Sequence, residues 1–258
     1  MSHTRRLEGG ISLCGSEMSG NGNPLISIIT VTRNAAATLA RSIASVGAQA
    51  YHNVQYIVID GGSTDATVDI LRANSDFIYY YLSEPDGGIY AAMNKALAVA
   101  TGEWLYFLGA DDCLASPATI QDVIPFLTEE IDVCFGNIRF TSGEIVRSQI
   151  SRKTLLHNTL HHQSVFYRMS LFDGFRYDSS FKLIADYELN LRIFLYKIPY
   201  RRVDMIIAEC AADGASRTNL KTALKETNLV RRKYVGSGFN VVMSILYAGK
   251  LWLANVRH

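Results

Sequence analysis

The chain has 258 residues, 48% of them hydrophobic and 19% charged, with 19 Gly and 5 Pro. That suits one large globular domain and excludes collagen-like, coiled-coil and low-complexity chains. Lys and Arg number 25 against 24 Asp and Glu, a formal charge of +1, so nothing in the total predicts nucleic-acid binding and any anionic ligand must be held locally.

Four scattered cysteines, Cys14, Cys113, Cys134 and Cys210, show no CxxC spacing, which predicts free thiols in a reducing cytoplasm. The chain has no run of about 18 apolar residues and starts with a polar segment, so neither a spanning helix nor a signal peptide is expected. Residues 16–23 are small and polar and predict a flexible arm over 1–23, after which Pro24 opens an apolar run, 25–31, that reads as a first buried strand. Leu39, Ile43, Val46 and Ala50 recur at helical spacing, and 54–59 is a second short, β-branched apolar run. The pattern repeats, with Ser63 or Thr64 as cap of a helix through Leu71, a strand over 77–82, a helix over 89–100 and a strand over 104–108. Such alternation predicts an α/β layer fold with a largely parallel sheet over 25–109.

Ser116-Pro117 marks a helix start, with Ile120, Val123, Ile124 and Leu127 as its buried stripe. Beyond it the spacing predicts strands over 131–135, 137–140 and 145–149, the last two joined as a hairpin, and another over 164–167. A helix over 185–196, with its stripe at Leu189, Ile193 and Tyr196, and a strand over 202–208 complete a mixed second half. Lys221, Lys225, Arg231, Arg232 and Lys233 then precede an apolar stretch at 241–247 and 251–253. A basic helix followed by an apolar one suits weak, peripheral attachment to an anionic membrane. The alternative is a terminal helix packed on the domain with a solvated basic face.

Ligands of open α/β sheets bind beyond the carboxyl ends of the strands, and four such ends are polar here: 30–34, 60–65, 83–88 and 109–112. One acidic turn is a commonplace helix cap, but three on one sheet edge point to a site. The Asp111-Asp112 doublet is the sharpest signal, because adjacent carboxylates repel unless a cation or donors lie between them. Such oxygen ligands suit Mg²⁺ or Mn²⁺, which fill their shells with phosphate oxygens. Taken alone, the doublet reads better as Asp112 capping the turn before Ser116-Pro117 with Asp111 solvated. Glycines 61, 62, 87 and 88 permit close approach to a ligand, yet neither a dinucleotide nor a P-loop fingerprint is present.

Together, the segments 28–34, 58–65, 83–90 with Met93-Asn94-Lys95, and 102–112 resemble the family 2 glycosyltransferases of the GT-A fold. The resemblance runs from 25 to about 208 and is strongest to bacterial enzymes that build colanic acid, capsule or lipopolysaccharide. It implies a GT-A, Rossmann-like mixed sheet with flanking helices over 24–210, divided into a nucleotide half (24–112) and an acceptor half (113–210), with a helical extension over 211–258. The implied activity is an inverting, metal-dependent transfer from a nucleotide-diphosphate sugar, expected to be UDP-linked, to a hydroxyl of a glycan or lipid-linked acceptor. Such an enzyme would be cytoplasmic and peripheral on the inner membrane face.

By position, Thr30, Arg33, Asp60 and Gly62 match the segment that holds the base, and Asp86 and Lys95 lie where base, ribose or diphosphate is contacted. Asp111 and Asp112 match the DXD-type site for Mg²⁺ or Mn²⁺, His161, His162 and Gln163 border the sugar or acceptor site, and Asp186 stands at the position of the base. One carboxylate on the acceptor side suffices when the leaving diphosphate is stabilised, and Glu188, two residues along the helix, is expected to face away. Gly109, Ala91 and Ala96 depart from the Asp, Asp and Gly common in relatives. A nucleotidyltransferase would need a basic Gly-rich loop that is missing, and a catalytically silent nucleotide- or sugar-binding module fits poorly with intact Asp111, Asp112 and Asp186.

Overall fold

In the computed structural model, which describes residues 6–14, 22–211, 219–236 and 238, ten strands form one mixed sheet. Its central strand, β2 (Ile26–Thr32), is buried at every position but Val31, the near-continuous apolar run of a parallel strand covered on both faces. β3 (Val54–Asp60) and then β4 (Tyr80–Ser83) extend the sheet in parallel on one side of β2, and β5 (Trp104–Phe107) on the other. α1 (Leu39–Gly47) and α2 (Thr67–Ala73) cover one face through Leu39, Ile43, Val46 and Leu71. α3 (Ile89–Leu97) covers the opposite face through Tyr90, Met93, Ala96 and Leu97. The chain thus steps outward from β2 to β4 and returns across the other face to β5. This reversal of strand order opens a crevice at the carboxyl ends of β2 and β5.

The expected loose arm is corrected over residues 6–14: β1 (Leu7–Gly9) pairs antiparallel with β4, and a 3₁₀ turn (Ile11–Cys14) follows. A short strand there closes an edge that would otherwise present unpaired backbone groups. The α2 cap also differs from expectation, since Asp65 Oδ1 accepts from Thr67 N at 3.0 Å while Ser63 serves Asp60.

In the second half, β6 (Cys113–Leu114) leads to α4 (Thr119–Val123) and to β7 (Val133–Phe140), which is one strand where two were expected. Gly136 continues the strand because β10 (Tyr200–Cys210), parallel to β7, passes so close that a Cβ would lie 2.6 Å from Met205 O. β8 (Ile145–Arg147) forms the expected hairpin with β7, and β9 (Val165–Arg168) runs antiparallel between β5 and β7. α5 (Ala185–Leu195) packs on the α3 side through Ala185, Leu189 and Ile193, whereas Tyr196, expected in that stripe, is exposed.

α6 (Leu220–Val235) lies against α5, with Val230 buried among Ile184, Tyr187 and Leu191. Burying a side chain of that kind contributes about 1.5–3 kcal/mol, so α6 is part of the domain's packing. Its basic residues divide: Lys221, Lys225 and Arg232 are exposed, Arg231 is buried, and Lys233 pairs with Glu188. The apolar stretch at 241–247 lies outside the described residues, among which no helix is long and apolar enough to cross a membrane. Cys113, Cys134 and Cys210 are free thiols, as their spacing predicts.

Candidate active site

After β5 the chain makes a tight turn in which Asp112 N donates to Gly109 O at 3.1 Å. α1 steadies it from below, with Ser42 Oγ donating to Gly109 O at 3.1 Å and Arg41 Nη2 to Asp111 O at 2.9 Å. Asp111 is exposed, while Asp112 is buried and takes one donor on each oxygen: Gln163 Nε2 on Oδ2 at 2.9 Å and Ala211 N on Oδ1 at 3.0 Å. Burial, and then the charge of Asp111, push the Asp112 carboxyl above its ordinary range despite those two donors. The glycine at 109 has a local cause, since a Cβ there would sit 2.3 Å from Asp112 Oδ2. A buried, incompletely compensated carboxylate with free lone pairs beside a solvent-facing one fits a hard divalent cation that completes its shell from phosphate and water. Among the described residues no three His, Cys, Asp or Glu side chains converge to enclose an ion, so the ligand would have to supply the rest.

Asp186 occupies the first turn of α5, where a helix favours a carboxylate. Its Oδ1 accepts from Tyr90 Oη at 3.3 Å and its Oδ2 from Asn158 Nδ2 at 2.7 Å. Behind Asn158 the chain of donors continues: Asn190 Nδ2 reaches Asn158 Oδ1 at 2.9 Å, and Tyr167 Oη reaches Asn190 Oδ1 at 3.1 Å. Because the Asn158 oxygen is committed to Asn190, its amide nitrogen must face Asp186. His162 Nδ1 lies 3.7 Å from Asp186 Oδ2. His162 and Gln163 are consecutive in a short 3₁₀ turn (His162–Ser164), so one dipeptide reaches both carboxylates. The ring of His161 packs edge-on against Phe140 with centroids 6.2 Å apart.

The nucleotide-side residues divide likewise. Thr30, expected to meet the base, is corrected to an interior position: it is fully buried, and its Oγ1 accepts from Tyr56 Oη at 3.2 Å. Asp60 is also enclosed, its Oδ2 accepting from Ser63 N at 3.0 Å and Ser83 Oγ at 2.6 Å, and its Oδ1 from Ser63 Oγ. Gly62 has φ +75°, and a Cβ on it would lie 3.0 Å from Pro85 N, so it lets the 60–65 and 83–88 loops pack together. Asp86 flanks Gly61 and accepts from Gly88 N at 2.8 Å. Lys95 Nζ pairs with Glu84 Oε1 at 2.8 Å and, by that bond first, holds the Glu84 carboxyl below its ordinary range. Arg33 is exposed at the end of β2.

The family model "Glycosyl transferase family 2" matches residues 27–186, more than half of the chain. The chain belongs to glycosyl transferase family 2. A PGL/p-HBAD biosynthesis glycosyltransferase of Mycobacterium bovis BCG is 34% identical over 185 residues, which cover 66% of this chain and 70% of the relative. An uncharacterized glycosyltransferase of Mycobacterium tuberculosis is 31% identical over 248 residues, covering 91% and 94%. Among solved structures, Staphylococcus aureus TarS 1–349 superposes with a TM-score of 0.62 at 20% identity, over 80% of this chain and 64% of that one. Mannosyltransferase PcManGT from Pyrobaculum calidifontis, solved with GDP-Man and Mn²⁺, superposes with a TM-score of 0.61 at 16% identity, over 80% and again 64%. This chain therefore spans slightly less than two thirds of those two solved chains, and the likeness establishes a shared GT-A fold.

Three residues of this family 2 glycosyltransferase escaped the sequence-based selection: Tyr90, Asn158 and Asn190. Tyr90 sits within the Gly-Ile-Tyr segment of the family pattern, so position alone could have raised it. Asn190 stands four residues after Asp186, one helical turn along the same face, a spacing legible in advance. Asn158 carries no comparable local signal. Glu188 faces α6 instead of the cleft, its Oε1 2.6 Å from both Lys233 Nζ and Tyr234 Oη.

Proposed function

We propose that this chain is an inverting, metal-assisted glycosyltransferase in which Asp186 is the base that deprotonates the acceptor hydroxyl. The observation that carries the reading is the pairing of two unlike carboxylates through His162-Gln163: buried Asp112 beside Asp111 on one side, Asp186 held by neutral donors on the other. Tyr90 and Asn158 each occupy one oxygen of Asp186 and leave lone pairs to receive a proton. The acceptor oxygen, stripped of its proton by Asp186, attacks the anomeric carbon, and the bond to the diphosphate oxygen breaks on the opposite face, with inversion. Asp112 and Asp111 would hold Mg²⁺ or Mn²⁺. When bound, that cation would neutralise charge on the leaving diphosphate.

The donor we infer is UDP-linked, a choice supported by TarS 1–349, solved with UDP-GlcNAc, while the GDP-Man complex of the Pyrobaculum enzyme keeps a GDP-sugar as the competing case. Arg33, Asp86 and Asp111 are our candidates for nucleotide contact, and His162 for sugar or acceptor contact. Release of free nucleotide diphosphate from a panel of UDP-, GDP- and dTDP-sugars with Mn²⁺ tests the reading. Turnover of none, with no nucleotide binding by calorimetry, would sink it.

For the acceptor we infer a glycan or lipid-linked hydroxyl in surface polysaccharide synthesis, met at the cytoplasmic membrane face. The exposed Lys221, Lys225 and Arg232 of α6, with exposed Leu224 and Leu229 between them, support a weak, salt-sensitive attachment. Charge reversal at those three basic positions should abolish flotation with anionic vesicles, and undiminished flotation would remove this part of the reading.

A further inference from the structure

The family match ends at Asp186, and α6 begins 34 residues beyond it (220 − 186). Yet a side chain of α6 completes the entrance to the helix that carries Asp186. The first N–H groups of an α-helix have no partner within it and are usually met by a Ser, Thr, Asp or Asn just before the helix. α5 lacks such a cap: its cap residue is Ile184, without a side-chain bond. The backbone that leads into α5 is instead held by Glu226. Its Oε1 accepts from Lys182 N at 2.8 Å, and its Oε2 from Leu183 N at 3.0 Å and Ile184 N at 3.1 Å.

Glu226 is only 6% exposed, so these bonds are shielded from water. An ionised carboxylate is also the right group electrostatically, since it faces the positive end of the α5 dipole. Two turns along α6, Lys233 and Tyr234 grip Glu188 in the same first turn of α5. The segment 182–188 is therefore held from one side by α6, with Asp186 inside it and facing the cleft on the other.

We propose that Glu226 is a positioning residue for Asp186, fixing the backbone from which the base is aimed. This rests on the reading of Asp186 as the base. A glutamine at 226 has one acceptor oxygen and would turn its amide hydrogens toward backbone N–H groups, so E226Q cannot reproduce the three bonds. An aspartate keeps the charge and both oxygens on a shorter stem. Misplacement of a reacting group by about 1 Å costs on the order of 10² in rate, whereas the nucleotide loops around Asp86 and Asp111 make no contact with this segment through Glu226.

The test uses the full chain and the nucleotide sugar of the panel that it turns over, with amide hydrogen exchange, UDP affinity and turnover measured for wild type, E226Q, E226A, E226D and D186N. The expected result is faster exchange at 182–184 in E226Q and E226A, kcat lower by about 10–100-fold, and donor KM and UDP affinity within about twofold of wild type. E226D should recover part of both exchange protection and kcat. Wild-type kcat in E226A beside a dead D186N would overturn the positioning role and leave the base assignment standing. Parallel loss of UDP affinity and kcat would overturn it as well, by showing a general structural defect. Should E226A fail to fold, E226Q and E226D carry the comparison. A fully active D186N would remove the base assignment, and this inference with it.

Discussion

Gln163 donates its side-chain amide to Asp112 Oδ2 at 2.9 Å, across 51 residues of sequence. The neighbouring His162 approaches Asp186, so the short turn that carries both residues sets the spacing between the two halves of the cleft. Tyr106 Oη donates to the Gln163 carbonyl at 2.8 Å and ties that turn to β5, the strand that ends at the Asp111-Asp112 turn. The two carboxylates are thus referenced to one rigid strand rather than to separate loops.

Gln163→Ala should weaken Mn²⁺-dependent UDP binding by about tenfold or more, because a hydrogen bond to a charged group contributes about 1.5–3 kcal/mol and its loss leaves Asp112 Oδ2 without its donor, with only Ala211 N holding the carboxylate. Calorimetry with and without Mn²⁺ checks this. An unchanged metal-dependent affinity would show that the amide plays no part.

Asp112 has its carboxyl raised above the unfolded value of about 3.9 by burial and by Asp111. The folded, metal-free protein therefore binds that proton more tightly than the unfolded chain, and its stability falls as pH rises from the unfolded value through the folded one. Asp112→Asn removes this loss. Without metal, its melting temperature at pH 7 should equal or exceed that of wild type, while Mn²⁺-dependent nucleotide binding disappears. A variant clearly less stable than wild type at pH 7 without metal would contradict the assignment of burial as the dominant cause.

Gly109→Ala should abolish the same metal-dependent binding without touching a ligand atom. Its Cβ would lie 2.3 Å from Asp112 Oδ2 and 2.9 Å from Asp111 Oδ1, so both carboxylates must move. Both atoms are the tips of side chains, so the cost falls on the placement of the carboxylates more than on folding. Denaturant unfolding and a Mn²⁺ titration measure the two effects, and normal binding in this variant would mean that Asp112 adopts another rotamer in the working enzyme.

Asp186→Asn should leave UDP affinity nearly intact and lower turnover by about 10²–10⁴, the usual contribution of a general base. Asn158→Leu should lower turnover less and also leave UDP affinity intact, because it removes one donor while Tyr90 remains. Equal loss of nucleotide affinity in both variants would show that this carboxylate serves binding instead.

Much of the architecture was legible because it is written in local periodicity. The apolar runs at 25–31, 54–59 and 104–108 became β2, β3 and β5, and the polar residues after them lie at the carboxyl ends of those strands, as a parallel sheet demands. The α5 helix was legible to within a residue at each end, whereas His162 and Gln163 were singled out only through the family resemblance, as residues bordering the sugar or acceptor site. What local pattern could not decide was which side chains those segments present to the cleft. Thr30 turns to Tyr56 and Asp60 is enclosed by Ser63 and Ser83, because a buried hydroxyl or carboxylate must find donors and acceptors and the nearest lay within the protein.

The chain's own sequence determined the elements, their parallel half and the loops that carry the acidic residues, since each depends on about ten consecutive residues. Only the tertiary structure decided that β1 closes the sheet edge, that Gly136 continues a strand beside β10, and that Glu226, 42 residues beyond Ile184, holds the backbone leading into the helix of Asp186. Those features satisfy backbone donors and acceptors left over by the local elements, and the group that satisfies them is selected by proximity in space, which no periodicity in the sequence records.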